Sequence, residues 1–148
     1  MDDNIGSVLA QVARLMRRNF DERARAIGVT RPQWQVLSLL ARHEGINQGG
    51  LADILEVEPI TLGRMIDRLQ DAELVERRAD PADRRAWRLH LTPKGTDLIL
   101  QLQPYARLTI DQALDGVSDA ESDRLMETLM RLRSNLSRRP GVEEQRPA

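Results

Sequence analysis

The stretch from Pro59 to Gly95 constrains this chain most, because it reads as a helix, two short strands around an arginine-rich turn, and the start of another helix. Pro59 is tolerated in the first turn of a helix, where its missing N–H is not needed, and Leu62, Ile66 and Leu69 then recur at helical spacing. The opposite face carries Ile60, Gly63, Arg64 and Asp67, with Thr61 and Arg68 at its margins. Taken alone, such a helix reads first as an ordinary amphipathic surface helix, but it also suits a DNA major groove, where Arg and Thr side chains reach base edges. The residues that follow favour the groove. Residues 74–79 and 86–92 predict two strands, the second with Trp87, Leu89 and Leu91 on its apolar side against Arg88 and His90. Between them Asp80-Pro81-Ala82-Asp83 is turn chemistry, which displays Arg84 and Arg85 at the tip. A hairpin directly after a candidate recognition helix is a wing, and its tip can enter a minor groove, where negative potential attracts arginine. From Leu74 to Lys94 six basic side chains face three acids, so positive charge is local although the formal net charge of the chain is −1.

The remaining elements support that unit. Ile5, Val8, Leu9, Val12, Leu15, Met16 and Phe20 line one face of a first helix predicted from about Asn4 to Ala26. Its Arg14, Arg17, Arg18, Arg23 and Arg25 read as a solvated face, with DNA flanks or an anionic effector as the sharper alternatives. Thr30 to Gln33 fits a capping box and starts a second helix reaching about His43, a residue placed to favour the helix dipole. Trp34 in that helix is expected to pack in the core, with an aromatic effector as its alternative partner. Gly45-Ile46 allows a brief extended segment. Asn47 then caps a third helix to Leu55, with Leu51, Ala52, Ile54 and Leu55 as its buried side, and Glu56-Val57-Glu58 completes helix-turn-helix spacing before Pro59. After the wing, Thr92 caps a helix bent at Pro104 and extending to about Leu114. Ser118 to Glu121 is another capping box, opening a helix striped by Leu125, Leu129, Leu132 and Leu136. That stripe needs a partner, either within the chain or in a second copy. Residues 139–148 have no apolar periodicity and are expected to be disordered.

With 148 residues, 41% of them hydrophobic and 30% charged, the chain suits one domain with a sizeable core. The near-neutral balance argues against indiscriminate nucleic-acid binding but leaves room for a small basic footprint. There is no cysteine, and His43 and His90 stand outside any compact ligand motif, so no disulfide, thiol switch, metal site or cofactor is expected. No apolar run approaches the roughly 18 residues of a membrane span, and the opening MDDNIGSV lacks a basic secretory leader. The expected location is the cytoplasm, without a membrane partner.

The motifs Leu74-Val75-Glu76-Arg77, Asp80-Pro-Ala-Asp83-Arg84-Arg85 and Leu91-Thr92-Pro93-Lys94-Gly95 resemble the MarR family of bacterial transcriptional regulators, and the resemblance spans roughly residues 5–138. The run from Val57 to Arg64 is most similar to its SlyA-type branch. Two departures are Glu56 and Glu73, where members commonly have glycine. The resemblance implies a mainly α fold with a small β-hairpin: a winged helix-turn-helix lobe over residues 30–92, with residues 4–29 and 93–138 forming dimerisation helices of one domain. It also implies a homodimer, and a pocket for a small-molecule effector between the dimerisation helices and the DNA-binding lobe. Without cysteine, the peroxide-sensing and cysteine-ligated metal-sensing routes of the family are closed.

The expected function is therefore a homodimeric, sequence-specific regulator of a pseudo-palindromic operator on double-stranded DNA, acting as a repressor under a small-molecule effector of aromatic or anionic chemistry. Ile60, Thr61 and Arg64 are the candidates for base reading, and Gln48 and Arg68 for phosphates. Arg85, supported by Arg84, is assigned to the minor groove, with Asp83 orienting that arginine, shaping the turn or forming a surface salt bridge. Val8, Val12, Leu125, Leu129, Leu132 and Leu136 are the candidates for the dimer interface. Two other classes compete. An enzyme is disfavoured because the carboxylates fall on caps, turns and solvated faces, with no nucleophile triad, metal motif or phosphate loop. A winged-helix module that binds proteins in place of DNA is the remaining alternative, and salt-dependent duplex binding separates it.

Overall fold

The computed structural model describes residues 3–138, so the expected disordered tail at residues 139–148 lies outside the described residues. The elements run α1 (Ile5–Ala26), α2 (Arg31–Arg42), α3 (Gln48–Leu55), α4 (Pro59–Asp71), β1 (Val75–Ala79), β2 (Trp87–Leu91), α5 (Pro93–Ala113) and α6 (Asp119–Ser137). Two compact units meet within α5, the first reaching Ile110 and the second starting at Asp111.

The core of the first unit forms where the apolar stripes of three helices converge. Val36, Leu37 and Leu40 of α2 pack with Leu51 and Ala52 of α3, Leu62, Ile66 and Leu69 of α4, and Val75 and Leu89 of the hairpin. Each buried Val, Leu or Ile side chain contributes about 1.5–3 kcal/mol, so the spacing of Leu62, Ile66 and Leu69 is what orients α4 with its other face outward. Ile54 departs from the expected pattern: it is 43% exposed, because the eight-residue α3 meets the core along the edge that carries Leu51 and Ala52. A second cluster joins Phe20 and Ala24 of α1, Val29 and Leu102 of α5, with Trp34 half-buried against it. Trp34 meets Phe20 edge to face at 4.8 Å, and its Nε1 donates to Asp21 Oδ1 at 2.7 Å. Arg31 Nε also donates to Asp21, at 2.7 Å. Burial alone would raise the Asp21 carboxyl, but the hydrogen bonds from Arg31 and Trp34 outweigh it and hold the group below the usual carboxylate range.

The caps follow the sequence closely. Asn47 Oδ1 accepts from Gly50 N at 2.7 Å at the start of α3, Thr30 N donates to Gln33 Oε1 at 3.0 Å, and Ser118 Oγ accepts from Glu121 N at 3.2 Å. His43 is the C-cap of α2, and α5 continues through Pro104. β1 and β2 are antiparallel in the register Val75↔Leu91 to Ala79↔Trp87. The extended segment after α2 adds a third rung, since Gly45 N donates to Leu89 O and Leu89 N to Ile46 O, each at 2.9 Å. Trp87 departs from expectation. Although it shares a face with buried Leu89, it is 49% exposed, because it stands at the end of the hairpin beyond the reach of the core.

Glu56 and Glu73, the two departures from glycine, both adopt left-handed backbone with φ of 55° and 62°. Each closes its helix through the same pattern: Val57 N donates to Ala52 O at 3.1 Å, and Leu74 N to Leu69 O at 2.9 Å. Gly95 is required for the opposite reason, close approach. A Cβ there would stand 2.1 Å from Leu74 O, a backbone atom that cannot swing aside. The two positions should respond with opposite sign. Glu73→Gly should raise stability by about 1 kcal/mol by relieving the left-handed penalty, and Gly95→Ala should lower it by about 1–3 kcal/mol. Chemical unfolding of both variants checks this, and a neutral Gly95→Ala would show that α5 does not sit against Leu74 as described.

Candidate nucleic-acid interface

The outward face of α4 carries Ile60, Thr61, Arg64, Asp67 and Arg68, all exposed, while Leu62, Ile66 and Leu69 hold the helix from behind. Ile60, Arg64 and Arg68 are four residues apart and so form one row along the helix. Neither Arg64 nor Arg68 makes an ion pair or side-chain hydrogen bond among the described residues. Both guanidiniums are available to a ligand.

The face is set in place by Arg77 of β1, whose role the sequence reading did not identify. Its Nε donates to Gln48 Oε1 at 3.2 Å, one terminal nitrogen to Gln70 Oε1 at 2.9 Å and the other to Gly63 O at 3.1 Å. An ion pair with Asp67 Oδ1 at 2.6 Å completes the set. One side chain, only 18% exposed, thus joins α3, α4 and the first wing strand. Strand alternation carried the signal, because Arg77 lies two residues from buried Val75 and therefore on the face turned to the helices. Gln48 is correspondingly occupied at one end: its Oε1 belongs to Arg77, and no hydrogen bond holds its Nε2 among the described residues.

At the wing the same pairing removes charge from the strands. Arg78 is paired with Glu76 at 2.5 Å, Arg88 with Asp80 at 3.2 Å, and Lys94 Nζ donates to Ala72 O at 3.0 Å. The Asp80 carboxyl lies below its usual range, first through the backbone N–H of Ala82 and then through Arg88. Asp83 Oδ1 accepts the backbone N–H of Arg85 at 2.9 Å, so Asp83 shapes the turn, and it makes no ion pair with the Arg85 side chain among the described residues. Arg84 and Arg85 stay exposed, with no side-chain partner among the described residues. Of the six basic residues counted from the sequence, these are the two left without a partner.

A family model described as the MarR family matches residues 29–87. The crystal structure of a transcriptional regulator designated PA3341 is 36% identical, covering 92% of this chain and 100% of its own, with a TM-score of 0.79. This chain belongs to the MarR family. A MarR transcriptional regulator from Methanosarcina mazei Go1 is 27% identical over 88% of this chain and 94% of that one, with a TM-score of 0.79. The transcriptional regulator SlyA is 25% identical over 90% and 94%, with a TM-score of 0.76, consistent with the SlyA-like character of the run before Arg64. The six described helices and antiparallel hairpin are those of a winged-helix MarR-family regulator.

Within the first unit a cavity of about 250 Å³ opens among α1, α2 and α5. Phe20 and Trp34 give it aromatic walls, Arg17 and Arg42 bring positive charge, and Ser38 and Thr109 bring hydroxyls. The Thr109 hydroxyl is engaged on both sides, accepting from Arg23 at 2.8 Å and donating to Tyr105 O at 3.0 Å. Trp34 packs on Phe20, as expected, and one side of it lines this cavity. Of the first-helix arginines, Arg23 binds α5 and Arg18 pairs with Glu22 at 3.9 Å. Among the described residues no helix is long and apolar enough to cross a membrane.

The Arg77 junction makes a direct prediction. Arg77→Ala should cost about 2–3 kcal/mol, since charge-assisted hydrogen bonds are lost and their acceptors are left partly covered. Arg77→Lys should recover little of it, because an ammonium cannot span acceptors on both helices as the guanidinium fork does. Urea unfolding measures both, and an unchanged midpoint in Arg77→Ala would remove the junction from the account.

Proposed function

We propose that the protein is a homodimeric, sequence-specific DNA-binding repressor that acts in the cytoplasm on a pseudo-palindromic operator. The observation that carries this reading is the distribution of unpartnered charge: Arg64 and Arg68 on α4 and Arg84 and Arg85 at the wing tip remain available, while neighbouring Arg77, Arg78 and Arg88 are ion-paired to Asp67, Glu76 and Asp80. Ile60, Thr61 and Arg64 read base edges, Arg64 by meeting the two guanine acceptors in one plane. Arg68 and the free Nε2 of Gln48 hold phosphates, and Arg85, flanked by Arg84 on the turn built by Asp83, enters the minor groove.

Dimerisation is supported by what the single chain leaves uncovered. α6 buries no residue, and Leu136 is 87% exposed. Leu125 is exposed and Leu129 and Leu132 are half-covered, while Val8 and Val12 stand exposed on a part of α1 that buries nothing before Phe20. A second copy is the partner that a symmetric regulator supplies. The aromatic and basic walls of the α1–α2–α5 cavity fit an aromatic anion as effector.

Binding series on a duplex selected from a random-sequence pool test the reading, with light scattering for the dimer. Arg64→Ala should lose about 1–3 kcal/mol of discrimination at one base pair in each half-site, whereas Arg68→Ala should weaken all sequences alike. Arg85→Ala should lower affinity most where the flanks are A·T-rich, and should reduce the salt slope by about one per protomer. A monomer, or a folded Arg85→Ala variant with unchanged affinity and salt slope, would contradict the proposed mode of binding.

A further inference from the structure

We infer that Ile60 makes this protein a reader of the thymine methyl group, and that the thymine lies within two base steps of the guanine met by Arg64. The inference rests on the DNA-binding reading above and names a chemical feature that the operator must carry.

Ile60 is the second residue of α4 and 74% exposed. The apolar face of this helix is already complete without it, since Leu62, Ile66 and Leu69 are buried and Met65 packs behind them. The fold therefore gains almost nothing from an isoleucine here, and the helix gains nothing either, because a β-branched residue is a poorer helix former than alanine or the straight-chain polar residues. What remains is the chemistry of the side chain toward a ligand. It has no donor or acceptor, so it cannot match N7, O6, O4 or the exocyclic amines of the bases. The one apolar feature on the floor of the major groove is the C5-methyl of thymine. The position is also the right one, because helices that enter the groove contact bases with their N-terminal residues.

Arg64 fixes where the thymine falls. Residues four apart on a helix have Cβ atoms about 5–6 Å apart, and base pairs stack at about 3.4 Å, so the two contacts lie one or two steps from each other along the groove. The resulting element is composite, a guanine recognised by charge and hydrogen bonds beside a thymine recognised by apolar contact.

The test uses the full chain and a duplex enriched from a random-sequence pool. Each thymine is replaced in turn by deoxyuridine, which removes the methyl group and leaves every hydrogen-bonding atom in place. One thymine per half-site should lose about fourfold in affinity, the worth of one buried methyl, and it should sit within two steps of the guanine at which Arg64→Ala loses discrimination. Ile60→Ala should bind the thymine and uracil duplexes equally and unfold at the wild-type temperature, since the side chain is exposed. Ile60→Gln, a good helix former without an apolar tip, should do the same. A duplex with no methyl-sensitive thymine, or a fourfold ratio that persists in both variants, overturns the inference while leaving DNA binding intact. A pool that enriches no duplex overturns the DNA-binding reading, and this inference with it.

Discussion

The position of the recognition surface depends on one guanidinium. Arg77 reaches from the first wing strand to the side chains of Gln48, Asp67 and Gln70 and to the backbone of Gly63, so α3, α4 and the wing share a single, partly buried junction. Apolar packing by Leu62, Ile66 and Leu69 decides which face of α4 points outward, but packing alone tolerates small slides and rotations. A planar fork with several acceptors does not. The division of labour is physical: burial supplies most of the energy, and the arginine supplies direction.

Ion pairing then determines where the protein is basic. A chain with a formal net charge of −1 has no broad positive surface, yet pairing of Arg77, Arg78 and Arg88 with Asp67, Glu76 and Asp80 consumes opposite charges together and leaves the tip arginines uncompensated. Of these, the Arg78–Glu76 pair is exposed on both sides and adds little stability. Within the helix-turn-helix and wing, the pairing leaves Arg64, Arg68, Arg84 and Arg85 as the basic side chains of α4 and the wing tip without an ion-pair partner among the described residues.

Much of the architecture was legible because it is written in local chemistry. Caps at Asn47, Thr30 and Ser118, proline at the start of α4, and the leucine spacing each act within a few residues, and the elements fall where those signals stand. The exposures of Ile54 and Trp87 were not legible, since alternation tells which face a side chain is on but not whether the core extends that far. The junction at Arg77 was hidden for a related reason. An arginine in a basic stretch reads as part of a DNA footprint until tertiary partners from positions 48, 63, 67 and 70 are brought beside it. Conversely, the glutamates at 56 and 73 show that hydrogen-bonded helix ends impose left-handed backbone on residues that do not prefer it.

The contact at Gly95 has a mechanical side. Leu74 O lies against the glycine and accepts from Thr92 N at 3.1 Å, the Thr92 hydroxyl donates to Glu73 O at 2.5 Å, and Lys94 reaches Ala72 O, so the first turn of α5 is riveted to the exit of α4. Apart from the Lys94 side chain, the rivet is made of backbone atoms and the short Thr92 side chain, which have little freedom to absorb strain. A tilt of α5 must therefore turn the end of α4 with it or break these bonds. The long helix is a lever arm whose short end is α4 with its exposed row of side chains, and a displacement of about one ångström at its base is comparable to the geometric tolerance of a hydrogen bond.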